Sequence, residues 1–291
     1  MTDLAHKTLA YTNWIDFSYD IHQGKKSTVD LIEQVPIQQQ GLMRLITAAA
    51  AYNTQLTVVV DVDDTLLDTT PRSQAIANYL LTHTNARLPL AGETISALER
   101  YVGGSIPHYF FGKALRQLGA SEIDIARCEA AWMDQFFTSL WLDRETPLPG
   151  AAEYLQALAA FQVNLIYLTG RDTPFMRAAT ESHLRRLGLL DFQLDQGTHS
   201  AVLITKDDYR EDDVEFKRSA MASIRTQRPL ALGLIENEPK NLAAMLRETQ
   251  AWGLHHRHAI LVDTVRASDP DKELVAAGLD FSFPKDFRFP S

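Results

Sequence analysis

The sequence predicts an α/β protein in which a parallel sheet carries helices on both faces and an inserted helical domain interrupts the chain. Three observations carry that expectation. Short β-rich runs alternate with helical patterns over most of the length. Residues 71–147 read as helices alone. Finally, the apolar run VVV ends in DVDD, so that a buried strand delivers three carboxylates at its end.

The composition agrees with a folded chain. Its 291 residues are 45% hydrophobic and 22% charged, which suits one large domain or two modest ones. A net charge of -9 argues against a nucleic-acid groove, which needs clustered positive charge, and leaves room only for a local basic pocket. The only cysteine, Cys128, excludes an internal disulfide and a metal site built from cysteines; within ARCEAAW it reads as a small core residue. The N-terminus lacks a basic head followed by an apolar core, and no stretch of about 18 apolar residues is present. The expectation is therefore a cytoplasmic protein without membrane contact. No fixed-period repeat or low-complexity tract is visible.

Residues 1–50 are expected to form a helical extension packed on the core. They carry a turn at Gly24 to Ser27, then a helical pattern through LIEQVPIQQQGLMRLITAAAAY in which Pro36 marks a break or a start. Trp14, Phe17 and Tyr19 are expected to be buried there. The core domain is read as 51–70 together with 148–291, with strands at Thr57 to Val60, Asn164 to Leu168, Ala201 to Ile204, Leu230 to Ile235 and Ala259 to Val262. Between its two parts, 71–147 shows apolar spacings of three and four, as in Ile125, Cys128, Ala131 and Trp132. GGSIP interrupts that stretch, and PLPGAAEYLQALAAF restarts a helix from Pro147. In the insert, His108, Tyr109, Phe110, Lys113 and Arg116 are pocket candidates, although packing of the aromatics and solvation of the charges is the default. The run His255, His256, Arg257, His258 reads as a solvated loop, because neighbours on a strand alternate faces and cannot converge on a metal.

Ligands of open α/β sheets bind beyond the carboxyl ends of the strands, where Asp61 and Asp63 stand. Two apart in extended chain, they share a face, and their repulsion calls for a hard cation or a shared proton. An aspartate beside magnesium can attack phosphorus while a second carboxylate protonates the leaving oxygen and then activates water. Asp64 alternates to the other face and reads as the turn residue; Asp68 is ambiguous.

The run VVVDVDDTLLD resembles the first motif of the haloacid dehalogenase-like (HAD) phosphohydrolases. Candidates for three further motifs follow in order: NLIYLTGRD, EFKRSAM and LALGLIENEPKNLAAM. The resemblance implies a Rossmann-like core with a C1-type helical cap inserted at 71–147, closing over the site and setting substrate choice. It implies a Mg2+-dependent phosphatase that works through an aspartyl-phosphate on a small phosphorylated metabolite. Asp61 would be the nucleophile and Asp63 the acid and then base. Thr169, Gly170 and Lys217 would hold the phosphoryl group, and Asp61, Asp63 and Glu236 would bind the metal. Thr65 would shape the first-motif turn, and Asn241 or Glu238 would assist the metal. Lys206, closer to the preceding strand, competes with Lys217. Glu236 stands where the family usually has aspartate, which puts an extra methylene into the metal site. Arg171 is read as a surface or helix-start residue. A phosphotransferase or phosphomutase would use the same parts, whereas dehalogenation would leave the leaving-oxygen acid, Asp63, without a task. A module that binds phosphate or a partner without turnover is the reading from a different class.

Overall fold

A run of β-branched residues, Thr57 to Val60, behind Leu56 makes Leu56–Val60 a strand buried on both faces. It is the centre of the protein. The computed structural model describes residues 13–23, 32–33, 35–37, 40–83, 89–104, 110–195 and 197–289. In chain order its strands are β1 (Leu56–Val60), β2 (Leu67–Asp68), β3 (Thr146–Pro147), β4 (Asn164–Asp172), β5 (Asp191–Leu194), β6 (Gly197–Ser200), β7 (Val202–Lys206), β8 (Ala231–Glu236) and β9 (His256–Leu261). Five of them form one parallel sheet in the order β7-β4-β1-β8-β9, as the alternation of strand and helix requires.

The helices are α1 (Trp14–His22), α2 (Gln40–Tyr52), α3 (Thr70–His83), α4 (Gly92–Gly103), α5 (Phe111–Gln117), α6 (Glu122–Phe136), α7 (Ala151–Ala159), α8 (Arg177–Arg186), α9 (Asp213–Arg225) and α10 (Pro239–Glu248). Alternation along β1 splits the core in two. Val58 and Val60 pack with α1, α2 and α7 on one face, while Val59 packs with α9 and α10 on the other. On the first face α2 lies so close to β8 that a Cβ at Gly233 would stand 2.7 Å from Leu45, which is why that strand position lacks a side chain.

The inserted helices α3 to α6 bury their own cluster, including Ile76, Leu98, Phe111, Ile125, Cys128 and Trp132. The two-stranded antiparallel ribbon β2–β3 stands where the chain leaves the core and returns to it. At the other end of the core, Trp14 meets Tyr154 and Phe289 edge-on and donates its indole N–H to the Phe287 carbonyl. Trp14 and Phe17 are buried; Tyr19 is exposed, because it lies on the outer side of α1.

Several expected boundaries shift. β4 runs on through Asp172, so Thr169 to Arg171 belong to a strand and not to a turn. The histidine run is not a loop, since His256, Arg257 and His258 form the start of β9, where Arg257 donates to the Leu246 carbonyl at 3.0 Å. The hairpin β5–β6 was not foreseen, because LDFQLDQGTHS alternates too weakly. The turn at Gly24 to Ser27, and His108 and Tyr109, lie outside the described residues. Among the described residues no helix is long and apolar enough to cross a membrane.

Candidate active site

β1 ends at Val60, and the Asp61 amide still donates to the Ile235 carbonyl of β8 at 2.9 Å, so Asp61 is fixed beside Glu236. Asp64 then takes a positive φ of 55°, and its carboxylate accepts from the Thr69 amide at 3.1 Å and the Thr69 hydroxyl at 2.8 Å. This is the turn role expected of it. Thr65 is buried and donates to Asp61 Oδ2 at 3.0 Å, with Asn237 Oδ1 at 3.2 Å.

Lys217 joins the two strand ends. Asp212 caps α9 by accepting from the Glu215 amide, and one turn further on Lys217 Nζ donates to Asp61 Oδ1 and to Glu236 Oε2, each at 2.6 Å. The other Glu236 oxygen accepts from the amides of Asn237 and Glu238, at 3.2 and 3.0 Å, ahead of α10. The longer glutamate side chain is thus held at both oxygens. Lys206 is engaged elsewhere, by Asp213 and by the Glu211 carbonyl, so Lys217 is the lysine that reaches Asp61.

One cation between two buried carboxylates leaves a deficit of positive charge. Burial raises the Asp61 carboxyl above its usual range against the pull of Lys217. Burial and then Asp61 push Glu236 up to about 8, again against Lys217. Lys217 stays charged, since the two carboxylates outweigh its own burial.

Asp63 has a different environment. Burial alone would raise its carboxyl, but Arg171, then Arg72 and Lys217, hold it below the usual range. Arg171 Nη2 lies 2.5 Å from Asp63 Oδ1 and donates to both Glu145 oxygens at 2.8 and 2.9 Å, while its Nη1 donates to Thr180 at 3.2 Å. Arg72 on α3 donates to Glu145 at 2.6 Å, lies 3.9 Å from Asp63, and stacks its guanidinium 3.6 Å from the centre of the Phe136 ring. His183 Nε2 stands 3.7 Å from Glu145. The reading of Arg171 as a surface residue is therefore wrong: it is fully buried and bound to the first motif. The cause is a break in the β4–β7 register between Thr169 and Asp172, a bulge of the kind that re-aims side chains beside active sites. Arg72 and Glu145 were missed altogether; each lies next to the β2–β3 ribbon, at the start and end of the insert.

Thr169 is buried and its hydroxyl accepts from the Arg171 amide at 3.3 Å; Gly170 and Arg171, rather than Thr169, line the cavity above the carboxylates. At Gly170 a Cβ would stand 2.6 Å from Asp213 Oδ1. Asn241 is buried and lines the same cavity, whereas Glu238 is committed to the Ala267 amide and to Ser268.

The donor set can be tested against a hard cation. Among the described residues no three acidic, histidine or cysteine side chains converge on one point, because Asp63 turns to Arg171. Of the side chains expected to bind the metal, Asp61 and Glu236 share Lys217, while Asp63 faces Arg171. The pair Asp61 and Glu236 suits magnesium, which takes one or two carboxylates and keeps several waters.

The cavity measures about 470 Å³ and runs from Asp61, Asp63, Lys217 and Glu236 up to the inserted helices. Of the five pocket candidates in the insert, Phe110 lines it; Lys113 and Arg116 do not, the first stacking on Phe110 and the second pairing with Glu122.

The family model of haloacid dehalogenase-like hydrolases matches residues 56–211, just over half of the chain. The chain belongs to the haloacid dehalogenase-like hydrolase family. Lys217 and Glu236 lie beyond the matched segment, so their place in the site rests on geometry. Similar solved structures include a haloacid dehalogenase-like family hydrolase from Streptococcus pneumoniae, 11% identical with a TM-score of 0.45 over 80% of this chain and 95% of that one. CbbY from Rhodobacter sphaeroides in complex with phosphate is 18% identical with a TM-score of 0.41, covering 80% and 95%. A hydrolase from Pseudomonas syringae is 15% identical with a TM-score of 0.41, covering 80% and 95%. The sequence has no match among curated proteins.

Proposed function

We propose that this hydrolase is a phosphatase acting on a small phosphorylated metabolite, with Asp61 as the nucleophile. The observation that carries the reading is the contact of Lys217 Nζ with Asp61 Oδ1 and Glu236 Oε2, each at 2.6 Å, on the floor of a cavity at the carboxyl ends of the strands. Asp61 attacks the phosphorus and forms an aspartyl-phosphate, while Asp63 gives a proton to the leaving oxygen. Asp63 then takes a proton from the water that cleaves the aspartyl-phosphate. Lys217 faces the phosphoryl oxygens together with the Gly170 and Arg171 backbone, and Thr169, buried behind that backbone, supports it through the Arg171 amide. Thr65 fixes the orientation of Asp61, and Asn241 supports the acidic end of the cavity.

Asp61 and Glu236 would hold Mg2+. When bound, the ion supplies positive charge beside the nucleophile and the phosphoryl oxygens. The helical insert acts as the cap and determines which leaving groups enter. Location in the cytoplasm is part of the same reading.

The test is phosphate release from an aryl phosphate with added magnesium, wild type against Asp61→Asn. Loss of turnover with an unchanged circular-dichroism spectrum is expected; full activity in the variant rejects the nucleophile. Transfer of the phosphoryl group to an added alcohol or sugar in place of water would instead make the protein a phosphotransferase built from the same residues.

A further inference from the structure

We propose that the cap selects phosphomonoesters whose leaving group carries a flat aromatic ring and no second phosphate. This rests on the phosphatase reading above and adds the substrate class.

The roof of the cavity is a run of stacked rings. Phe111 and Trp132 lie 5.5 Å apart at 14°, Trp132 and Phe136 4.2 Å apart at 23°, and Phe136 meets Phe137 edge-on at 5.4 Å. Phe137 continues to Tyr209, 5.5 Å away at 30°, which belongs to the core loop after β7. All five rings line the cavity, together with Phe110. The run therefore crosses from cap to core above the carboxylates. Trp132 is stacked on Phe111 and Phe136, and Arg72 covers Phe136, so the rings left to meet a bound ring are Phe137 and Tyr209; a cavity of this volume falls within the size range of ligand pockets.

A further feature narrows the choice. The lining cations are largely committed: Arg72 to Glu145, Arg171 to Asp63 and Glu145, Lys206 to Asp213, and Lys217 to Asp61 and Glu236. Arg210 leans on Tyr209, next to Glu211 and Asp212 at the rim. Lys217 faces one phosphoryl group from between Asp61 and Glu236, and a second anionic group would meet Arg210 only beside Glu211 and Asp212.

Binding is measured first, by calorimetry on the full chain with magnesium, using phenylphosphonate and methylphosphonate, neither of which can be hydrolysed as an ester. Phenylphosphonate is expected to bind about tenfold more tightly, the factor that one buried ring contact gives. The ratio should fall toward one in Phe137→Leu and in Tyr209→Leu, both outside the buried cap cluster. Turnover of phenyl phosphate, a nucleoside 5′-monophosphate, glycerol phosphate and a sugar bisphosphate is then compared by kcat/KM. The first two are expected to exceed the last two by about tenfold or more, and their order shows whether the ring sits on the phosphate oxygen or one sugar away. Equal binding of the two phosphonates, or a bisphosphate as the best substrate, overturns the proposal while leaving the phosphatase reading in place. Ring-selective binding with no ester hydrolysed supports the pocket assignment and rejects the phosphatase reading.

Discussion

Glu145→Gln tests the buried ion network that ties the insert to the first motif. The Glu145 side chain is fully buried and serves two guanidiniums, Arg72 at 2.6 Å and Arg171 at 2.8 and 2.9 Å, with His183 3.7 Å away. Removing one partner of a buried pair costs about 3–5 kcal/mol, because the remaining charge keeps its desolvation penalty. The amide retains one acceptor oxygen, and Arg171 keeps Asp63, so Arg72 bears most of the loss; its remaining carboxylate is Asp63, 3.9 Å away. The expected destabilisation is therefore about 3 kcal/mol, at the lower end of that range. Urea unfolding followed by far-ultraviolet circular dichroism measures it, with an unchanged m-value as the sign that only stability has moved. The double variant Arg72→Met with Glu145→Gln should lose less than the sum of the two single variants, since it removes the stranded charge. A loss below about 1 kcal/mol for Glu145→Gln, or strict additivity in the cycle, would refute the view that Glu145 is the anion on which Arg72 depends.

Lys217→Met leaves Asp61 and Glu236 facing each other without their shared cation, and turnover should drop by about 10²–10³-fold, measured as kcat on an aryl phosphate. In Arg171→Lys the single ammonium cannot span Asp63, Glu145 and Thr180 together, so kcat should fall through lost positioning of Asp63, and the alkaline limb of the pH–rate profile should move to higher pH as this acid loses the pull that holds it ionised. The Glu236 carboxyl is raised from 4.5 to about 8 in the folded protein, so this form binds more protons than the unfolded chain between those values. Its contribution to stability is complete below the unfolded value and is lost as pH rises through the folded one. With chelator present, the urea midpoint should decline from pH 5 to pH 8.5, and Glu236→Gln should flatten that slope; an equal slope in the variant would contradict the assignment.

The meeting of Asp61, Lys217 and Glu236 was readable because two of them follow apolar strand runs and the third opens a helix that the sequence marks. Asp61 and Glu236 follow runs buried throughout, and Lys217 falls one turn after the Asp212 cap. Arg171 was misread because its orientation depends on a bulge, and a change of register between two strands leaves no mark on the sequence of either. Arg72 and Glu145 were invisible for another reason. They are 73 positions apart, and nothing in TPRSQ or DRETP announces that the two ends of an insertion meet. Strand ends were placed too early at β4 and too late at β9, where polar residues such as Arg171 and Arg257 find partners that hydropathy does not anticipate.

The two first-motif carboxylates are separated by their partners more than by their burial. Asp61 shares the single charge of Lys217 with Glu236 and is a reluctant anion, whereas Asp63 receives the fork of Arg171 and is held ionised. In the mechanism proposed above a nucleophile must be ionised and a leaving-group acid must carry a proton, so the chain's own charges bias Asp61 and Asp63 against the first task that mechanism gives each. Added positive charge between Asp61 and Glu236 removes the first bias, which is the physical need that a hard cation meets at this pair. The second bias depends on how Arg171 divides its donors between Asp63 and Glu145, and Glu145 also holds Arg72 at the root of the cap. In this arrangement the proton affinity of Asp63 is tied to the same buried carboxylate that anchors the first inserted helix.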